Sequence, residues 1–363
     1  MSRSIFVLAA AAVGAFFAVS LTYVPAPSGP VSNADAKSDF GLSLVAPADA
    51  AESDAPKLTT QEYRATYWAK EGWTTDFSKT TIDFGEILSG GPPRDGIPSI
   101  DVPEFAPVAE ETDLADREPV ISLVVNGEAK AYPLRVMMWH EIANDTIAGK
   151  PVAVTYCPLC NAAIVFDRRV DGETTTFSTT GLLRHSDLVT YDRATESWWQ
   201  QFLGEAIVGS QTGKRLALIP ARLESWANFA ARFPEGLVLT PSDPDLRPYG
   251  ANPYVGYDSL TRPFLYTGEN PPHGIPPLER VVRVGDRAWP LTRIRDEGGI
   301  RESGVAITWE RGQASALDHG VISEGRDVGT VRVRDAQGRD VPHDVMFAFA
   351  FHAFWPQGTW MVR

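Results

Sequence analysis

The chain has 363 residues, a formal net charge of -13 and only two cysteines. Nucleic acids and anionic membrane surfaces require clustered Lys and Arg, so the acidic balance argues against both as partners. A chain of this length can bury a large core without disulfides, so its cysteines are not needed as structural staples.

Residues 1–36 are predicted to be an export signal. Arg3 provides a positive start, "IFVLAAAAVGAFFAVSLTYV" is the apolar run, and Ala34-Asp35-Ala36 is a small-x-small cleavage site. The apolar run is close to the length that spans a bilayer, so an uncleaved N-terminal anchor is the alternative. No other membrane contact is expected. The mature protein is therefore predicted to be periplasmic or secreted.

Residues 37–58 are rich in Ala, Ser, Asp and Pro and are predicted to be a flexible linker. After it, four short segments recur in the same order along the chain. "KAYPLR" at 130–135 matches "RAWPLT" at 287–292, and "VAVTY" at 152–156 matches "VAITW" at 305–309. We interpret this as two divergent copies of one unit, the first over 59–240 and the second over 241–363.

The local patterns of the first copy predict strands joined by tight turns. Asn126-Gly127 separates two apolar-alternating runs, which is a strong hairpin signal, and Asp171-Gly172 is a second turn of this kind. "RVMMWHEIAND" has helical spacing, whereas "PVAVTY", "AAIVFDRRV", "EAIVG" and "GLVLT" favour strands. A second helix is predicted over "RLESWANFAARF". The fold class is therefore α+β, with mostly antiparallel sheet and a few short helices in each copy.

Cys157 and Cys160 lie on the predicted strand-to-strand turn of "VAVTYCPLCNAAIVFD". After export, a close pair of cysteines normally forms a disulfide unless a reductant or a metal prevents it. A bridge across two residues stabilises a fold little, because the loop that it closes is so short. The second copy has Glu310 opposite Cys157 and Gln313 opposite Cys160, so the cysteines are not required to build the unit.

Two histidines are candidate partners of the cysteines. His140 follows Trp139 on the predicted helix, and His185 lies in the polar stretch "GLLRHSDLVTYDRATESWW". Two sulfur and two nitrogen ligands would suit zinc or copper. The simpler alternatives are a half-buried structural histidine at 140 and a solvated one at 185.

The polar stretch around His185 also supplies candidate supporting residues. These are Asp187, Tyr191, Asp192 and Arg193. A surface ion pair or a turn is the simpler interpretation of the charged members. "SGGPPRDGIPSID" at 89–101 lacks the strand and helix that flank a phosphate loop, so no nucleotide cofactor is expected.

Three hypotheses follow for the function. In the first, an exported thiol-disulfide oxidoreductase, Cys157 attacks, Cys160 resolves, and His140 or His185 is the base. In the second, Cys157, Cys160, His140 and His185 bind zinc or copper without turnover. In the third, the chain is a β-rich binding scaffold with an incidental disulfide. A redox or metal-exchange partner, as yet unidentified, is expected in the first two cases.

Four segments carry a resemblance to a known family. They are "SGGPPRDGIPSID", "AYPLRVMMWHEIANDTIAGKPVAVTYCPLCNAAIVFDR", "TGLLRHSDLVTYDRATESWWQQFLGEAIVG" and "NPYVGYDS". Over roughly residues 80–360 the chain resembles the bacterial and archaeal family called domain of unknown function 3179, which implies no assigned activity. Labels of some members as selenoproteins imply a redox-active position at Cys157 or Cys160. Members often have glycine where this chain has Asn161, and Asn tolerates the left-handed conformation.

Overall fold

Strands are the main regular structure of the folded chain, which the computed structural model describes for residues 59–363. The predicted export signal and linker, residues 1–58, lie outside the described residues. Five α-helices occur in the described part: α1 (Thr60–Lys70), α2 (Leu134–His140), α3 (Trp226–Arg232), α4 (Leu291–Asp296) and α5 (Ala348–Phe354). None of the helices found between residues 59 and 363 has the length and apolarity needed to cross a membrane.

The strands of the first half form three sheets and one short ladder. The ladder pairs β8 (Arg169–Val170) with β9 (Glu173–Thr174). One sheet, in the order β1-β10-β11-β12-β13, contains β1 (Ile87–Ser89), β10 (Phe177–Arg184), β11 (Asp187–Asp192), β12 (Trp198–Gln200) and β13 (Glu205–Val208). A second, β14-β7-β6-β5, contains β5 (Ile142–Ile147), β6 (Lys150–Cys157), β7 (Ala162–Asp167) and β14 (Leu218–Ile219). The third, β15-β3-β4-β16-β2, contains β2 (Glu104–Pro107), β3 (Pro119–Val125), β4 (Glu128–Pro133), β15 (Ala221–Ser225) and β16 (Leu237–Thr240).

The second half contains two sheets. One, in the order β22-β17-β18-β23, contains β17 (Arg280–Val284), β18 (Arg287–Pro290), β22 (Asp344–Phe347) and β23 (Thr359–Trp360). The other, β19-β20-β21, contains β19 (Ile300–Glu302), β20 (Val305–Glu310) and β21 (Thr330–Asp335). Strand pairing is antiparallel except for β4 with β16 and β18 with β23. The predicted α+β class, with mostly antiparallel sheet and short helices, is confirmed.

The large sheets of the two halves share strand order, strand direction and register. In both, two antiparallel pairs are followed by one parallel pair: β15-β3-β4-β16 and β22-β17-β18-β23. In the parallel pair, Leu237 is opposite Lys130 in the first half and Thr359 is opposite Arg287 in the second. Descent of both halves from one duplicated unit would account for this correspondence and stays a prediction.

The smaller sheets correspond at the cysteines. Cys157 pairs with Ala162 at the end of β6, and Glu310 pairs with Thr330 at the end of β20. Glu310 thus has the strand position that Cys157 has in the first half. The connection that follows spans residues 158–161 in the first half and 311–329 in the second, so the cysteine turn occurs only once.

Both halves contribute to the main hydrophobic core. It contains residues of β3, β6 and β7 together with Val281 and Phe347 from the second half. A separate aromatic cluster fixes α1 against the β10–β13 sheet, where Trp68 and Trp198 meet edge to face with ring centroids 4.7 Å apart. This cluster therefore supports the sheet that carries Asp187 at the start of β11.

Most of the local predictions hold, but both predicted helices are shorter than their segments, and the first, α2, ends at His140 because residues 142–145 belong to strand β5. The β3–β4 hairpin has its turn at Asn126-Gly127, where both residues have a positive φ. The Asp171-Gly172 turn joins β8 to β9. The second predicted helix begins only at Trp226, because Ser225 caps it with a hydrogen bond from the Asn228 backbone. Residues 222–225 of that segment instead belong to strand β15, which pairs with β3.

Candidate functional site

The two cysteines lie on a tight turn between adjacent strands, as the sequence predicts. Strand β6 ends at Cys157, one 3-10 turn covers Pro158–Cys160, and β7 begins at Ala162. Both cysteines are free thiols and are almost completely buried, and they lie 4.0 Å apart. The turn therefore holds two sulfur atoms side by side inside the protein.

Asn161 fixes the end of this turn. Its φ is +51°, in the left-handed region, and its N–H donates to the Pro158 carbonyl at 3.1 Å. Its side-chain amide donates to the Val345 carbonyl of β22 at 3.1 Å. Asn tolerates this conformation better than most non-glycine residues, so the expectation for position 161 is confirmed.

Asp187 is the third member of the cluster. The β10–β11 hairpin pairs Arg184 with Asp187 and turns through His185 and Ser186, both with positive φ. This hairpin directs a carboxylate oxygen of Asp187 toward the thiols, so that it and the two sulfur atoms all lie within 4.8 Å of one another. Of the supporting residues that the sequence suggests, Asp187 is thus placed beside the cysteines.

The two carboxylate oxygens of Asp187 have different surroundings. Oδ2 accepts a hydrogen bond from the Gln200 side chain at 2.6 Å and one from the Phe202 backbone at 3.0 Å. Oδ1 is buried with no N–H or O–H partner among the described residues, although weak S–H hydrogen bonds from Cys160 and Cys157 favour the charged form of Asp187. Burial raises the pKa of Asp187 to about 7, although the bonds from Gln200 and Phe202 favour the charged form.

Glu141 adds a second buried carboxyl, which the sequence motifs do not predict. It is the residue after α2, has a φ of +59° in the left-handed region, and is 7% exposed. Burial and the charge of Asp187 raise its pKa to about 8. A charged residue between apolar neighbours in "MMWHEIA" is the signal that could have identified it.

The thiols themselves are shifted toward their neutral forms. Burial raises the pKa of Cys157, and the charges of Asp187 and Glu141 raise it further. Burial raises the pKa of Cys160 well above its ordinary value, and both Cys157 and Asp187 add to this. The site therefore combines four acidic groups in a low-dielectric interior, which disfavours the ionised form of each.

Backbone and aromatic groups enclose the cluster. The Ser186 carbonyl oxygen is 3.5 Å from the Cys160 sulfur and 3.9 Å from the Cys157 sulfur. Tyr257, which belongs to the "NPYVGYDS" segment, donates its hydroxyl hydrogen to the Leu159 carbonyl at 2.9 Å. The segment around residue 257 thus packs directly on the cysteine turn.

His140 does not join the cluster of ligand atoms. Its Nδ1 is 2.8 Å from the Pro98 carbonyl oxygen, and its Nε2 is 2.8 Å from the Tyr249 hydroxyl. Burial lowers its pKa, and the charge of Arg247 adds to this effect. Both ring nitrogens therefore have partners away from the cysteines.

His185 is next to Ser186 in the chain, but its ring also belongs to different surroundings. Its Nε2 is 3.5 Å from a carboxylate oxygen of Glu86, and its ring meets Phe354 edge to face. Burial lowers its pKa, with a further contribution from Arg184. Within residues 59–363, the group of closely spaced ligand atoms consists of Cys157, Cys160 and Asp187, without either imidazole.

Tyr191 and Asp192, two of the remaining candidates, make structural contacts. The Tyr191 hydroxyl donates to Asp95 at 2.7 Å. Asp192 accepts from the Thr195 backbone at 2.7 Å and from the Trp199 indole at 2.9 Å. Both residues hold β11 and the turn that follows it.

Arg193 completes the set of candidates. It pairs with Asp101 at 2.7 Å and donates to the Ser99 hydroxyl at 2.8 Å. This pairing ties the 95–101 connector to the end of β11. The contact between Arg193 and Asp101 is the ion pair that the simpler interpretation of the sequence predicts.

The comparisons with known proteins identify a family and no closer relative. No curated protein and no solved structure matches the chain significantly. The model of a family described as "Protein of unknown function (DUF3179)" matches residues 94–358, which include the cysteine turn, Asp187 and most of the second half. The chain therefore belongs to the DUF3179 family.

Proposed function

We propose that the protein binds a zinc ion through Cys157, Cys160 and Asp187. The observation that carries this proposal is the meeting of two sulfur atoms and one carboxylate oxygen within 4.8 Å, all of them buried. The Oδ1 atom of Asp187 supports it further, because it has no N–H or O–H partner among the described residues and a buried carboxylate oxygen without a strong hydrogen bond is costly. A metal ion would give that oxygen a bond.

The charges around the cluster favour a cation. Two thiols and the carboxyls of Asp187 and Glu141 can all become negative, and burial opposes this in every case. A divalent cation would offset this cost of burying negative charge. The ligands would then bind in their deprotonated forms, because metal binding releases protons. The same surroundings are poor for a reactive thiolate, which needs a nearby positive charge or a helix N-terminus.

The types of ligand atom favour zinc over copper. Zinc accepts both thiolate and carboxylate ligands, whereas Cu(I) prefers thiolate and thioether sulfur. Three protein ligands would leave one tetrahedral position open, which is the pattern of catalytic zinc sites. The set differs from the ligands suggested by the sequence, because Asp187 takes part and His140 and His185 do not.

Elemental analysis and thiol counting on the same sample test the proposal. We expect about one zinc ion per chain, loss of zinc in Cys157→Ser and Asp187→Asn, and two free thiols after denaturation. His140→Gln and His185→Gln are matched controls and should keep the metal. Metal-free protein with a Cys157–Cys160 disulfide, or loss of zinc in the histidine variants alone, would contradict the proposal.

A reversible disulfide is the second candidate, and the 4.0 Å separation of the cysteines favours it. Oxidation would join the two sulfurs, release two protons, and pass two electrons to an external disulfide or quinone. Asp187, whose pKa is about 7, could accept one of the protons. This candidate predicts a mildly reducible bond with a potential well above the −300 mV or so of structural disulfides. It fails if neither thiol can be alkylated after mild reduction.

We also propose that the chain is exported, on the strength of the signal pattern in residues 1–36. Export would place the thiols in an oxidising compartment, where a bound metal would keep them reduced. Cell fractionation and the N-terminal mass of the mature protein test this. An intact N-terminus in the soluble cytosolic fraction would contradict it.

A further inference from the structure

A second polar site lies where the parallel strands β4 and β16 end. A cleft of about 800 Å³ opens there, between the first turn of α2 and the loop 241–249. Its walls include Val136, Leu239 and Leu246, and the loop is stiffened by several prolines. Clefts of this volume are typical of sites for small molecules.

Arg247 supplies the cleft with an unused positive charge. Its side chain makes no hydrogen bond or ion pair with any other residue of 59–363, and its Nε is buried without a partner. The other arginine of the cleft, Arg135, is already paired with Glu118. A buried donor without a partner is costly, so Arg247 is positioned to pair with something that enters the cleft.

Tyr249 adds a fixed hydroxyl beside Arg247. The Pro98 carbonyl can only accept a hydrogen bond, so His140 carries its proton on Nδ1 and its Nε2 accepts from the Tyr249 hydroxyl. The Tyr249 ring also stacks on the His140 ring, with an interplanar angle of 18°. The Tyr249 side chain, which lines the cleft, is thereby held in place, and its oxygen keeps the capacity to accept a further hydrogen bond.

We propose that this cleft binds a small organic anion, whose carboxylate or phosphate group pairs with Arg247 and whose apolar part contacts Leu239 and Leu246. Tyr249 accepts a hydrogen bond from a hydroxyl or amino group of the ligand. This site gives His140 a role as a positioning residue, through its bond to Tyr249. It does not depend on the zinc proposal.

Three carboxylates in the lining do not neutralise Arg247. Glu111 accepts hydrogen bonds from the backbone N–H groups of Asp113 and Leu114, at 2.6 and 2.9 Å. Asp113 and Asp245 are exposed to solvent, where water screens their charges. Arg247 is therefore the unpaired cation of the cleft lining, because Arg135 is already paired with Glu118.

Titration of the full chain with the fluorescent anion 1-anilinonaphthalene-8-sulfonate tests the proposal. We expect saturable binding to the wild type that weakens at least about tenfold in Arg247→Gln, since a hydrogen bond to a charged group is lost. Arg247→Lys should lie between the two. Arg301→Gln, which removes an exposed arginine in the second half, is the charge-matched control and should bind the dye like the wild type.

Competition in the wild type provides a measurement that needs no variant. Displacement of the dye by benzoate indicates a carboxylate ligand, and displacement by phenyl phosphate indicates a phosphate ligand. The proposal is overturned if the wild type does not bind the dye, if Arg247→Gln binds it equally well, or if neutral benzyl alcohol competes as strongly as the anions. Asp187→Asn should bind the dye normally, so failure of the zinc proposal would be seen separately.

Discussion

Asp187→Asn should make the metal-free protein more stable at pH 8 while it removes zinc binding. The amide keeps the shape of the side chain and can still accept hydrogen bonds from Gln200 and Phe202. The pKa of Asp187 rises from 3.8 to about 7 on folding. Ionisation of Asp187 therefore lowers the free energy of unfolding by roughly 4 kcal/mol. Because the amide must itself be buried, we expect a gain of about 1 to 3 kcal/mol.

The gain should depend on pH in a defined way. A carboxyl with a raised pKa in the folded state contributes stability that is fully present below its unfolded pKa, near 4. That stability is lost as the pH rises from about 4 through 7, so the loss is complete at pH 8. The advantage of Asp187→Asn over the wild type should therefore be nearly absent at pH 4.

Urea unfolding in the presence of a chelator, at pH 4 and pH 8, measures this difference. Asp192→Asn is the matched control, because Asp192 lies on the same strand with both oxygens hydrogen-bonded. It should lose about 1 to 3 kcal/mol at pH 8. Added zinc should stabilise the wild type and leave Asp187→Asn unchanged. A destabilised Asp187→Asn in chelator, or equal stabilisation of both by zinc, would refute the reasoning.

Three further substitutions test the frame around the site by urea or thermal unfolding. Asn161→Gly and Asn161→Ala both lose the bond to Val345, but only alanine is strained at a φ of +51°, so Asn161→Ala should be the less stable of the two by about 1 to 2 kcal/mol. Equal stability of the two would contradict this. Gly181→Ala should cost more than about 3 kcal/mol, since its Cβ would lie 2.0 Å from the Pro92 carbonyl oxygen; a normal melting curve would exclude that geometry. Asp258→Asn should cost about 3 to 5 kcal/mol at pH 7, because it removes the carboxylate charge that is paired with the buried Arg280. Burial disfavours the charged form of Asp258, but Arg280 holds its pKa below the ordinary value. The loss of stability in Asp258→Asn should therefore shrink as the pH falls below about 4, where Asp258 of the wild type becomes protonated.

Local features of the fold could be predicted because neighbouring residues determine them. The Asn126-Gly127 hairpin and the strand-to-strand position of the cysteines depend on turn residues and alternation within a few positions. The first residue of the second helix could not be predicted in this way, because residues 222–225 pair with β3 in spite of their helical pattern. Sheet pairing across about a hundred residues is not visible in a local window.

The membership of the candidate site was predictable only in part. The cysteines share one turn, and the sequence places Asp187 two residues after His185 in the same polar stretch. Its place beside the sulfurs depends on the two-residue hairpin turn at 185–186, which directs Asp187 inward and leaves His185 beside Glu86. Glu141 lies opposite β6 across the sheet, a relation that only the folded chain reveals.

The hydrogen bond from Asn161 to the Val345 carbonyl has a consequence for any minimal version of this protein. The cysteine turn is hydrogen-bonded to strand β22, which packs against β7. The second half therefore supports the turn although it has no cysteines of its own. A fragment that ends near residue 240 would keep both sulfurs and Asp187 but would expose the apolar surface that Phe347 now covers. The second half thus covers and positions the cysteine turn of the first, and neither half should be expected to work when expressed alone.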